Sequence, residues 1–354
     1  MSFPYLQNFL GLGSGLQTKN AAGGGVGVGG WVELGRTTLG ASSDTITVSS
    51  LTNKRYYMIL GSTYATGGQI RQMLRFNSDT GNNYAYRGGA DGGSVTSAPR
   101  SNMPINEDNE DVGEFSVGYV SNFATKEKLV LGHSVRVNAT GAGTAPGRTE
   151  FANKHSQTSN PINAMNFVNP ESGDYASGSE LVVLGWDPAD THTNNFWTEL
   201  ANVTLNSSSN TLSSGTITAK KYLWVQAYLK SSGSTNRILR FNSDSGSNYT
   251  MRLNANGGTD SGYTAFSGAW GGEQGNSSSP MFLNFFIVNT ASKEKLVIGN
   301  ELIQNTAGAG TAPKRTEGVG KWTNTSNQIT QVSLFNNDVT DYASGSSIVV
   351  WGSD

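Results

Sequence analysis

Hydrophobic positions along this chain recur with a period of two, and helical spacing is nearly absent. DTITVSSL at 44–51 alternates, with Ile46 and Val48 on one face. YYMILGSTY, QIRQMLRFN and NYAYR follow as consecutive strands between Gly, Ser and Asn turns. Farther on, KYLWVQAYL, NRILRFN and NYTMRL repeat that layout. Alternation over short runs bounded by turn residues predicts half-buried β-strands. FSVGYVS and KEKLVLGHSV form the next pair, matched by MFLNFFIVN and KEKLVIGNEL, and QITQVSLFN with SIVVWG supplies the last strands. ELVVLGW is apolar nearly throughout, as a strand covered on both faces must be. WVELG is of similar kind, so the first and last strands of each copy are expected side by side.

The pattern is written twice. LRFNSDTGNNYAYR at 74–87 returns as LRFNSDSGSNYTMR at 239–252, and KEKLVLG at 126–132 returns as KEKLVIG at 293–299. TGAGTAPGRTE at 140–150 becomes AGAGTAPKRTE at 307–317, and DYASGSELVVLGWD at 174–187 becomes DYASGSSIVVWGSD at 341–354. WVELGRTTLG at 31–40 likewise matches WTELANVTLN at 197–206. Five blocks in one order at a nearly constant displacement mark an internal duplication, with a period far longer than the ~20–50 residues of solenoid repeats. The expected organisation is an N-terminal arm and Gly-rich linker over 1–30, a first repeat over 31–187, a linker over 188–195 and a second repeat over 196–354. Each repeat is expected to be an all-β, antiparallel β-sandwich of jelly-roll or lectin-like type, the two in tandem. The arm carries the apolar anchors Phe3, Tyr5, Phe9 and Leu10, which read as residues that dock on a partner.

Composition narrows the function. Charged residues are 14% of the 354, against roughly 25% in ordinary soluble domains, and the net charge is −2. Such a chain has no basic field for a phosphate backbone, which counts against nucleic acid as the partner. Cysteine is absent, so disulfides, thiolate nucleophiles and Cys-based zinc sites are excluded. No apolar run approaches the ~20 residues of a membrane helix. MSFPYLQNFLGLGSGLQ lacks a basic n-region and an unbroken apolar core, so it makes a poor signal peptide, and the chain is expected to be made and kept in the cytosol until released by another route, such as lysis.

Candidate chemistry is sparse. The turns NSDTGNNY and NSDSGSNY could place Asp79 and Asp244 on a calcium ion, with Glu107 and Asp108 of NEDNED as a second acidic site. A hairpin turn, in which Asn, Asp and Gly cap the backbone, is the simpler reading of the first two. His133, His155 and His192 share no metal-ligand or triad spacing. Glu127 and Glu294, each flanked by lysines in KEKL, read as solvated ion pairs. Tyr84, Tyr86, Tyr249 and Trp270 lie near the turns and loops, where aromatics can stack on sugars or anchor proteins. No cofactor and no catalytic residue is expected.

The opening MSFPYLQNFLGLGSGLQ, the turn LRFNSDTGNNYAYR and the segment ASGSELVVLGWD resemble virion proteins of tailed phages, marine phages in particular. That resemblance implies a structural place in a particle, as head decoration or tail fibre. It implies a homotrimer or other symmetric oligomer, other virion proteins as partners, and host surface glycans as possible ligands. Two alternatives remain beside it, a two-module carbohydrate-binding protein and a polysaccharide depolymerase with close carboxylates.

Overall fold

The computed structural model describes residues 30–106, 108–190, 194–231, 233, 235–271, 279–338 and 340–354. Among them there is no helix; every regular element is a strand, and every pairing in the sheets described here is antiparallel. In the first half, a large sheet runs β1 (Val32–Thr38), β13 (Glu180–Trp186), β3 (Tyr56–Thr66), β8 (Gly113–Ser121), β9 (Lys128–Arg136), β10 (Gly147–His155), β5 (Tyr84–Ala90) and β6 (Thr96–Arg100). The short β12 (Asp174–Tyr175) also pairs with β3. A small sheet runs β2 (Thr45–Val48), β11 (Met165–Val168), β4 (Met73–Phe76) and β7 (Met103–Pro104).

The second half follows the same order, without strands matching the two-residue β7 and β12. Its large sheet runs β14 (Thr198–Thr204), β24 (Ser347–Ser353), β16 (Tyr222–Leu229), β20 (Met281–Val288), β21 (Lys295–Ile303), β22 (Lys314–Trp322), β18 (Tyr249–Ala255) and β19 (Asp260–Phe266). Its small sheet is β15 (Thr211–Ser213), β23 (Val332–Asn336) and β17 (Arg237–Phe241). Leu239 bridges to Trp270 where Leu74 pairs with Met103 in the first half. The expected neighbours are present: β1 pairs with β13, and β14 lies beside β24. All seven residues of ELVVLGW in β13 are buried.

Each half buries one core between its two sheets. In the first, Ile46, Leu74 and Phe167 of the small sheet join Tyr57, Ile59, Leu181 and Val183 of the large one. In the second, Leu212, Leu239 and Leu334 meet Leu223, Val225, Leu283 and Val350. Two layers with inward faces interdigitated are β-sandwiches. Backbone approach is close inside them: a Cβ on Gly61 would stand 2.3 Å from the Phe167 ring.

By compactness the chain divides into a first unit (to Ala90, Ser94–Ser134 and Thr149–Thr198) and a second (Asp91–Gly93, Val135–Arg148 and Glu199–Asp354). The second unit therefore takes in a stretch of the first repeat, the β9–β10 connection, which the repeat boundaries alone assign to the first half.

Candidate functional site

Asp79 and Asp244 close the hairpin turns. Asp79 accepts from the Gly81 amide at 2.8 Å, Asn83 Nδ2 at 2.8 Å and His155 Nε2 at 2.9 Å. Asp244 accepts from the Gly246 amide at 2.8 Å, Asn248 Nδ2 at 3.0 Å and Trp322 Nε1 at 2.8 Å. Burial works to raise both carboxyls, but these donors hold both below the usual carboxylate range. The carboxylates thus serve the turn, as Asx-type caps do. The partner rings occupy equivalent strand positions. His155 stacks on Tyr84 at 4.4 Å and Trp322 on Tyr249 at 6.1 Å.

This geometry corrects the aromatic ligand set. Tyr84, Tyr86, Tyr249 and Trp270 are buried. The Tyr84 and Tyr249 hydroxyls donate to the carbonyls of Phe76 and Phe241, and desolvation pushes Tyr84 up to about 12. Trp270 donates Nε1 to Glu301 inside the second core. Tyr84, Tyr86 and Tyr249 are core residues because the strand pleat turns them inward, and Trp270 because its connection bridges back to Leu239. Asp108 is exposed, with its amide bonded to Asn106 Oδ1 at 3.3 Å. Glu107, His192 and the arm residues Phe3, Tyr5, Phe9 and Leu10 lie outside the described residues.

The two KEKL glutamates part company. Glu127 and Lys154 pair at 2.9 Å with both side chains exposed, as expected for a solvated pair. Glu294 is not solvated: its side chain is 8% exposed, and its partner Lys321 is fully buried. The cause is the segment Val135–Arg148, which packs within the second unit. The Gly141 amide donates to Glu294 Oε1 at 2.6 Å, and Lys321 Nζ donates to the carbonyls of Val137 and Ala139. Thr250 Oγ1 donates to the Thr144 carbonyl at 3.0 Å, Arg252 Nε to Pro146 at 2.9 Å, and the Ala265 amide to Ala142 at 2.9 Å. Arg148 closes the seam on Asp260 at 2.9 Å, with both side chains almost entirely buried.

Sequence reasoning missed this seam. Its backbone acceptors carry no side-chain signature, and nearly the same loop occurs twice. It missed the second lysine of each KEKL as well. Lys128 Nζ donates to the carbonyls of Phe123 and Lys126, and Lys295 Nζ to those of Lys293 and Asn324. Desolvation lowers both lysines, Lys295 to about 8.

Both units leave large apolar side chains in the open. Tyr119, Phe123, Leu129 and Leu131 in the first, and Tyr228, Phe282 and Leu302 in the second, are between 36% and 59% exposed. In the second unit they form one row, Tyr228 opposite Phe282 and Phe282 opposite Leu302. Contiguous apolar surface of this kind marks interaction sites.

No known family's model matches the chain, and no curated protein matches it. Among solved structures, it is aligned with the attachment invasion locus protein Ail of Yersinia pestis at 7% identity and a TM-score of 0.13, over 80% of this chain and 99% of that one. Neisserial surface protein A aligns at 6% identity and 0.10 over 80% and 99%, and OprG of Pseudomonas aeruginosa at 7% and 0.12 over 85% and 98%. Likeness at these scores carries no inference about fold or function.

Proposed function

We propose that this chain is a structural component of a virus particle surface, as head decoration or fibre, which works by assembly and adhesion. The observation that carries the reading is the exposed apolar surface on the outer sheet face of each repeat, of which Tyr228, Phe282 and Leu302 form a continuous row. Side chains of that size in water favour contact with another protein surface. The resemblance of the turn and strand blocks to tailed-phage virion proteins supplies the setting. The acids described above support adhesion over turnover. Asp79 and Asp244 cap turns, Asp260 is neutralised by Arg148, and Glu301 lies within the second core against Arg237. The glycan-binding alternative drew on Tyr84, Tyr86, Tyr249 and Trp270, whose burial removes its aromatic platform.

Mass spectrometry of density-purified particles tests the proposal. The chain is expected at a fixed stoichiometry to the major shell protein. Its absence from washed particles, with the protein abundant in the lysate, would overturn the virion reading.

A further inference from the structure

The loop that the first repeat lodges in the second unit has a twin. Asn138–Pro146 and Asn305–Pro313 share the run GAGTAP and one backbone conformation. Asn138 and Asn305 both adopt positive φ (62° and 68°), as do Gly141 and Gly308 (81° and 85°). Asn138 Nδ2 donates to the Ala145 carbonyl and Asn305 Nδ2 to that of Ala312, each at 3.0 Å. Yet residues 306–313 are exposed throughout. The loop is thus built before it has anything to grip.

The grip has a twin too. Glu294 and Lys321 hold the first loop, and their counterparts at the same places in KEKL and on the neighbouring strand are Glu127 and Lys154, already paired at 2.9 Å and open to solvent. The apolar positions repeat this division. Leu129 and Leu131 are exposed where their counterparts Leu296 and Ile298 are at most 4% exposed. Conversely Phe282 and Leu302, beside the free loop, are exposed where Phe115 and Val135 are at most 1% exposed.

We propose that the loop Asn305–Pro313 of one copy docks on the Glu127–Lys154 pair of a second copy, so that copies join head to tail. The Gly308 amide then meets Glu127 and the loop carbonyls meet Lys154, as Gly141 and its neighbours do with Glu294 and Lys321. Phe282 and Leu302 cover Leu129 and Leu131. The acceptor is the weaker of the two: Ala85 stands for Thr250 and loses a hydroxyl, and Val95 stands for Asp260 and loses the carboxylate that holds Arg148. Contact between copies is accordingly reversible, whereas the loop within the second unit stays seated. Such an interface is heterologous, so it closes into a ring or runs on as a filament.

The proposal deepens the assembly reading without resting on the virion. Absence from particles would end the virion reading and leave the contact standing; a chain that never self-associates ends the contact. The test uses light scattering of the full chain across concentration, with Glu127→Lys, which spoils the acceptor, and Ala309→Glu, which sets a carboxylate against it. Both positions are exposed, and circular dichroism verifies the fold. A same-length Gly-Ser replacement of 306–312 serves as a second donor variant. Wild type is expected to exceed its 37.4 kDa monomer as concentration rises. Each variant alone should need at least tenfold more protein to do so. Mixed one to one, Glu127→Lys and Ala309→Glu retain one good donor and one good acceptor between them, so the mixture should stop at dimers. A wild-type monomer at every concentration, or association unchanged by all the variants, overturns the proposal.

Discussion

Arg237 and Glu301 form an ion pair with no exposed side-chain surface, and Trp270 adds its indole N–H to the same carboxylate. Burial drives the Glu301 carboxyl above its ordinary value, against the pull of Arg237 and these hydrogen bonds. At the matching positions the first repeat carries neutral residues. Gln72 Nε2 donates to Thr63 Oγ1 at 2.8 Å, and Ser134 Oγ donates to the Ile105 carbonyl at 2.9 Å. Removing one partner of a buried pair strands the other charge, so Arg237→Ala is expected to cost about 3–5 kcal/mol. Importing the first repeat's solution, Arg237→Gln with Glu301→Ser, should cost less than either single change. Urea midpoints of the four variants (Arg237→Ala, Arg237→Gln, Glu301→Ser and the double) check both expectations. A different pH signature belongs to Asp79 and Asp244, whose carboxyls are held low in the folded chain. Their contribution is complete above the unfolded value of about 3.9 and is lost as pH falls through the lower folded value. The double Asp→Asn variant should therefore lose less thermal stability than wild type between pH 5 and pH 2, on melts followed by fluorescence. That window runs from about one unit above the unfolded carboxylate value to about two units below it, far enough to pass through the lowered folded value.

At the scale of elements, the strands and their partners were legible because a period of two with turn residues at each end leaves little choice of face. ELVVLGW announced its double burial, and the first-to-last pairing followed from it. The lysine staples were not legible. In KEKLVLG the eye assigns both lysines to solvent, yet Lys128 turns inward with Val130 and reaches loop carbonyls. Replacing Lys128 by Met keeps the stem and orphans those acceptors, for an expected loss of about 1–3 kcal/mol in chemical denaturation. Gly132, in the same strand, is fixed by approach instead. A Cβ there would stand 2.1 Å from the Val117 carbonyl oxygen, and backbone cannot yield as a side chain can. Gly132→Ala is expected to destabilise the first unit by about 1–3 kcal/mol.

On the whole-molecule scale, the two GAGTAP loops show where sequence reading ends. The loops differ in little but their surroundings, so nothing inside them tells which is seated and which is free; that follows from the residues facing them. Thr250, Asp260 and the Ala265 amide receive the first loop, and none has a like group at the matching place in the first repeat. One consequence separates repeat from folding unit. If Val135–Arg148 belongs energetically to the second unit, damage to it must appear there. Replacing 139–146 by a short Gly-Asn turn removes the acceptors of Thr250 and Arg252 and the Ala139 carbonyl of Lys321, leaving that buried lysine only the Val137 carbonyl. Stranding several buried donors at about 1–3 kcal/mol apiece exceeds what the lost loop entropy returns. Hydrogen exchange read by mass spectrometry is expected to show faster exchange in β18, β21 and β22, more than 100 residues away along the chain, with β3 and β13 of the first core unchanged. Loss of protection confined to β9 and β10 would mean instead that the loop is held by its own hairpin, and that the second unit ends where the second repeat begins.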